Sequence, residues 1–152
     1  MPDAMPPDQP HAARRRWMAV LARADAEELG ERLGALPAYR VLRGPEVGLV
    51  MVRGRTGGGG APFNLGEMTA TRCTVRTESG FVGHAYVAGR NERQAELAAL
   101  ADALLQDQRR QAALLEQVIA PLAATQRARR DAVAAKAAAT RVQFFAMRNM
   151  RA

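Results

Sequence analysis

Apolar residues first recur at helical spacing. Trp17, Val20, Leu21 and Ala24 fall at i, i+3, i+4 and i+7, so Arg14 to Ala24 reads as a helix with one buried stripe. Asp25 stands three residues before Glu28, the spacing of a capping box, and restarts the helix. The second helix buries Leu29, Leu33 and Leu36, and Pro37 stops it. From Ala38 the period shortens to two. Tyr39 to Arg43 and Val47 to Arg53 read as short strands joined by a turn at Gly44, Pro45 and Glu46. Glu67 to Glu78 alternates along a longer strand, with Arg72 and Arg76 on one face and Cys73 and Val75 on the other. Ser79-Gly80 turns the chain into a return strand, Phe81 to Gly89. Tight turns pair strands antiparallel, so a four-stranded antiparallel sheet is the expectation.

The helical period returns after Arg90. Asn91 and Gln94 form a capping pair, and Leu97, Leu100, Ala101 and Leu104 mark a buried stripe. Leu114, Leu115, Val118 and Ile119 mark another before Pro121. From Ala123 to Thr140 nine of eighteen residues are Ala, and Val133 is the one larger apolar residue. Such a segment is strongly helical but buries little of its own, so it suits docking on another chain. Val142, Phe144, Phe145, Met147 and Met150 then place large apolar side chains at the end, and Phe144, Phe145 and Met147 read as a partner anchor. The expected architecture is α+β: two N-terminal helices, the sheet, then long C-terminal helices. Residues 1–13 form a Pro-rich disordered lead-in, 14–107 the α+β domain and 108–152 a helical partner-binding segment.

Composition narrows the function. The 152 residues are 48% apolar, enough for a core, and only 5% aromatic. The net charge of +7 is concentrated: residues 122–152 hold seven basic residues and one acid. A basic helix can meet nucleic acid, an acidic partner or water. This one lacks interleaved aromatics and any groove-reading motif, so a nucleic-acid-binding module is the alternative reading and not the first. No apolar run reaches membrane-span length, and the first ten residues carry no signal-peptide core. A soluble, cytoplasmic protein is expected.

Candidate chemistry is sparse. Arg53-Gly-Arg-Thr-Gly-Gly-Gly-Gly puts two cations beside successive glycines, whose backbone N–H groups can turn toward an anion. Arg53, Arg55, Gly57 and Gly58 are therefore phosphate-contact candidates. No Gly-Lys-Ser/Thr follows, so this is not a P-loop, and a flexible loop is the plainer reading. Arg72 shares a strand face with Arg76 and is a further anion candidate; an exposed charged face is its plainer reading. His84 lies in a strand with no nucleophile or acid placed beside it by sequence. Cys73 reads as a small core residue. Two separated histidines and one cysteine make no metal set. No full active site assembles, which favours a subunit over a stand-alone hydrolase.

A series of short segments completes the reading. They are Arg16-Trp17-Met18, Gly48-Leu49-Val50, Gly57-Gly58-x-Gly60, Gly66-Glu67, Thr71-Arg72, Gly89-Arg90-Asn91, Asp102-Ala103-Leu104, Ile119-Ala120-Pro121-Leu122 and Arg141-Val142-x-Phe144-Phe145-x-Met147. In this order and spacing the chain resembles the PhnG family, subunits of the bacterial carbon–phosphorus lyase core complex. The likeness runs from about Arg14 to Arg148. The resemblance implies a heteromeric assembly with PhnH, PhnI and PhnJ. It also implies that, with PhnI, PhnH and PhnL, the chain supports displacement of adenine from ATP by methylphosphonate, giving α-D-ribose 1-methylphosphonate 5-triphosphate. PhnJ later breaks the carbon–phosphorus bond with an iron–sulfur cluster and S-adenosylmethionine. On this likeness the chain binds no cofactor itself, ATP is a substrate of the complex, and membrane and nucleic acid are not partners.

Overall fold

The computed structural model describes residues 11–142. Among them lie helices α1 (Ala12–Leu21) and α2 (Ala26–Leu33), strands β1 (Tyr39–Arg55), β2 (Pro62–Thr77) and β3 (Val82–Ala88), and helices α3 (Glu92–Leu105), α4 (Gln108–Leu114) and α5 (Ala120–Ala139). The class is α+β. The sheet is antiparallel with order β1-β2-β3, so it has three strands and not four.

The two short strands expected before the glycine tract are one. β1 pairs with β2 from Tyr39↔Thr77 to Arg55↔Pro62, passing through Gly44 and Pro45 with register shifts on either side of Arg43. The Gly-Pro step is therefore a bulge and not a hairpin turn. Gly44 adopts φ +80, and a Cβ there would meet the Arg72 carbonyl oxygen at 2.5 Å. The bend needs glycine because β2 runs straight past it. The true hairpin loop is the glycine tract, which forms a short 3-10 turn at Thr56–Gly58.

Local chemistry sets the helix ends. Asp25 accepts from the backbone N–H groups of Glu27 and Glu28, and Asn91 accepts from that of Gln94, at the starts of α2 and α3. The expected alternation on β2 holds: Thr71, Cys73, Val75 and Thr77 are buried, while Arg76 is exposed. That inner face packs on α3, whose residues from Gln94 to Leu105 are almost all buried. A helix buried on all sides must be covered twice. The sheet covers one side; α1, α2 and α4 pack on α3 from elsewhere. Fully burying each of Leu97, Leu100 and Leu105 contributes about 1.5–3 kcal/mol.

The C-terminal helices are continuous. Between α4 and α5 a π-helical turn, Leu115–Ile119, takes up the extra residue. It precedes Pro121, which sits at the start of α5 and has no N–H to give the helix. Val118, Ile119 and Leu122 join the same core cluster as Trp17, Leu21 and Leu29. Gln126 donates to the Val20 carbonyl at 2.9 Å. Beyond it α5 is exposed all round, with Val133 67% accessible.

Candidate functional site

β3 pairs with β2 only from Ala70↔Ala88 to Arg76↔Val82. β1 and β2 continue together past Leu49↔Thr69 to the glycine loop, so their outer halves form a two-stranded ribbon without a third strand. Alternation places Val47, Leu49 and Met51 on the face continuous with buried Thr71, and Val50, Val52 and Met68 on the other. An extra residue, Leu65, bulges β2 opposite Val52 and Arg53. Neither face is covered: Leu49 is 64% exposed and Leu65 65%.

Arg53 and Arg55 lie at the end of this ribbon. Arg53 is exposed opposite Asn64. Arg55 Nη1 donates to the Gly60 carbonyl at 3.0 Å, closing the loop under its own guanidinium. Gly57, at φ +60, and Gly58 form the 3-10 turn between them. The structure thus brings Arg53, Arg55, Gly57 and Gly58 to one tip.

Arg72 is elsewhere. It lies eight residues along β2 from Asn64, roughly 26 Å at strand rise. Its guanidinium donates to Glu46, which also accepts from Arg43 Nε at 2.8 Å. Arg72 is held in its charged form by a hydrogen bond to Tyr86 and then by Glu46. In return Arg72, and then Arg43, keep the Glu46 carboxyl below the usual carboxylate range, against the opposing effect of burial. A depression of about 220 Å³ opens here, lined by Glu46, Val47, Gly48, Val50, Arg72 and Tyr86. A larger one, about 420 Å³, sits at the opposite end of the sheet beside the cross-strand pair Arg40 and Arg76. Neither is lined by the tip residues.

Cys73 and His84 lie in the sheet, on β2 and β3. The Cys73 thiol is buried, and that burial pushes its pKa up, followed by the charge of Glu96. Such a thiol is a poor nucleophile. His84 Nδ1 lies 3.1 Å from Thr74 Oγ1, and its backbone N–H donates to Asp102 Oδ2 at 3.0 Å. Among the described residues no group of three or more His, Cys, Asp or Glu could hold a metal, and no helix is long and apolar enough to cross a membrane. Phe144, Phe145 and Met147 lie outside the described residues.

Sequence reasoning missed two features. One is fully buried Asp102, whose carboxylate gathers Arg14, Trp17 and the His84 backbone. Nothing in the spacing of these residues joins them. The other is the ribbon itself. Its signal was present: Leu49-Val50-Met51-Val52 is apolar at consecutive positions, which on an unburied strand leaves both faces greasy.

Comparison with known proteins now bears on these features. The family model for "Phosphonate metabolism protein PhnG" matches residues 12–149. The chain belongs to the PhnG family. It is also 49% identical, over 142 residues, to the alpha-D-ribose 1-methylphosphonate 5-triphosphate synthase subunit PhnG of Rhizobium meliloti (strain 1021). That match covers 90% of this chain and 88% of the relative. The family match therefore spans the ribbon, the Asp102 cluster and helix α5 together.

Proposed function

We propose that this chain is the PhnG subunit of an α-D-ribose 1-methylphosphonate 5-triphosphate synthase in the cytoplasm, within a carbon–phosphorus lyase complex. The observation that carries this is the 49% identity to a named subunit over 90% of the chain. The role is to support transfer of the ribose triphosphate moiety of ATP to methylphosphonate with release of adenine. The partners are PhnH, PhnI, PhnJ and PhnL, and ATP is a substrate of the assembly and not a cofactor of this chain. The sparse chemistry of the described residues is in keeping with a supporting subunit. The test is reconstitution: the other synthase subunits are supplied with ATP and methylphosphonate, with and without this chain. Adenine release that depends on the chain supports the reading. Release of equal rate without it, or release from ATP by this chain alone, overturns it.

Within that reading, Arg53 and Arg55 contact the triphosphate, with the backbone of Gly57 and Gly58 completing the contact. Their support is the tip itself, two cations and a glycine turn with no acid between residues 47 and 66. Arg72, engaged by Glu46, contacts only an anion that displaces that carboxylate. Phe144, Phe145 and Met147 anchor the C-terminus on a partner.

A further inference from the structure

We infer that the β1–β2 ribbon is an arm that inserts into an apolar-walled cleft of a partner subunit and carries Arg53 and Arg55 to the triphosphate there. The inference rests on the subunit reading above and adds the surface that makes the contact.

A sheet strand in water normally hides one face. Over the body of this protein the rule is obeyed, with Cys73 and Val75 no more than 2% exposed. Past Thr69 it fails on both faces at once. Leu49 and Met51 are 64% and 51% exposed, and Phe63, Leu65 and Met68 are 44%, 65% and 38% exposed. From Leu49 to Arg55 the arm reaches roughly 20 Å at strand rise. A bare two-stranded hairpin is marginal in water, and a continuous apolar surface of this kind marks an interaction site. Its edges are also open. β1 is an edge strand throughout, and β2 has no neighbour on its other side until Ala70. Open apolar edges invite aggregation unless something covers them.

The occupant follows from two observations. A second copy lying against the arm covers one face and leaves the other wet, whereas a cleft encloses both. The tip carries Arg53 and Arg55 with no acid from Val47 to Gly66, so the end of the cleft must be negative. In a synthase whose substrate bears a triphosphate, that charge is the substrate itself. Apolar walls and an anionic end match apolar flanks and a cationic tip.

The experiment co-expresses the chain with its synthase partners and measures co-purification of the wild type, of Leu49→Asp/Leu65→Asp and of Arg53→Ala/Arg55→Ala. Leu49 and Leu65 lie outside the core, so the aspartate variant should melt as the wild type does. It should lose at least tenfold in partner recovery. The arginine variant should keep its partners and lose triphosphate binding. Hydrogen exchange on the wild type provides a second readout free of folding artefacts: amides from Leu49 to Met68 should slow when partners bind. Undiminished recovery of the aspartate variant, or unchanged exchange in the arm, overturns the inference while leaving the subunit reading intact. Dimerisation of the wild type that the aspartate variant abolishes, with partners still bound, also overturns it. A wild type that recovers no partner overturns the subunit reading, and the inference with it.

Discussion

Trp17 Nε1 donates to Asp102 Oδ1 at 2.9 Å inside the core. The same carboxylate accepts from Arg14 Nε and Nη2 at 3.1 and 2.7 Å and from the His84 backbone N–H at 3.0 Å. One acid on α3 thus fastens α1 on one side and β3 on the other. Asp102 has no solvent exposure, so its removal strands an indole N–H and a backbone N–H away from water. Asp102→Ala should cost about 3–4 kcal/mol, which for a domain of this size lowers Tm by roughly 6–16 °C. Arg14→Ala should cost less, because its side chain is 29% exposed and water can replace part of what it loses. Thermal melts followed by Trp17 fluorescence report both. A melt of Asp102→Ala within a degree of the wild type would show that the cluster is not a fastening.

A second joint depends on a missing atom. A Cβ at Gly83 would stand 1.9 Å from the Ala99 carbonyl oxygen and 2.5 Å from the Ala103 nitrogen. Both are backbone atoms of α3, so no side chain can swing aside. Gly83→Ala must push helix and sheet apart, at a cost of about 2–3 kcal/mol. Gly48→Ala is the matched control, since nothing lies within 4 Å of its Cβ position. Its denaturation midpoint should stay near that of the wild type, while that of Gly83→Ala falls. Equal midpoints for the two variants would contradict the tight packing of β3 on α3.

The acid dependence of stability should have a contribution from Glu46. Its folded pKa is lowered from the ordinary 4.5, chiefly by its hydrogen bond from Arg72 and secondarily by Arg43. A carboxylate of lowered pKa stabilises the fold above its unfolded value and loses that contribution as pH falls through the folded value. The effect is small, because both partners remain about 40% exposed. Glu46→Gln should therefore melt slightly below the wild type at pH 7. The gap should narrow as pH falls below the ordinary 4.5 and close once Glu46 is protonated in the folded state as well. A gap that widens toward acid would reverse the sign and discard the ion-pair account.

Elements defined by local pattern were legible, and those defined by distant pairing were not. Asp25 and Asn91 cap helices where side-chain chemistry within three residues dictates it. The β2 alternation named its buried face in advance because one face meets α3. Gly44-Pro45 was misread because a turn and a bulge share a composition, and only the straight run of β2 beside it decides between them. Nor does local pattern announce the π turn at Leu115–Ile119, which carries the helix on past Pro121. The tip of the candidate site was legible as a glycine-arginine run. The separation of Arg72 from it follows from the register of one long hairpin, which no local spacing encodes.

Register also shapes the last prediction. Arg53 and Arg55 share the ribbon tip, while Arg72 is roughly 26 Å away and held by Glu46. In the assembled synthase, Arg53→Ala/Arg55→Ala should raise KM for ATP by about 10-fold or more, as expected when charged hydrogen bonds of about 1.5–3 kcal/mol are lost. Arg72→Ala should leave KM close to the wild-type value and instead reduce the Glu46-dependent difference between neutral and acid melts, Arg43 keeping the remainder. Steady-state adenine release at varied ATP separates the two. If the tip arginines lower kcat with KM unchanged, they act on the transition state and not on ground-state binding. If neither variant alters the kinetics, the tip does not meet the triphosphate and the anion contact lies on another subunit.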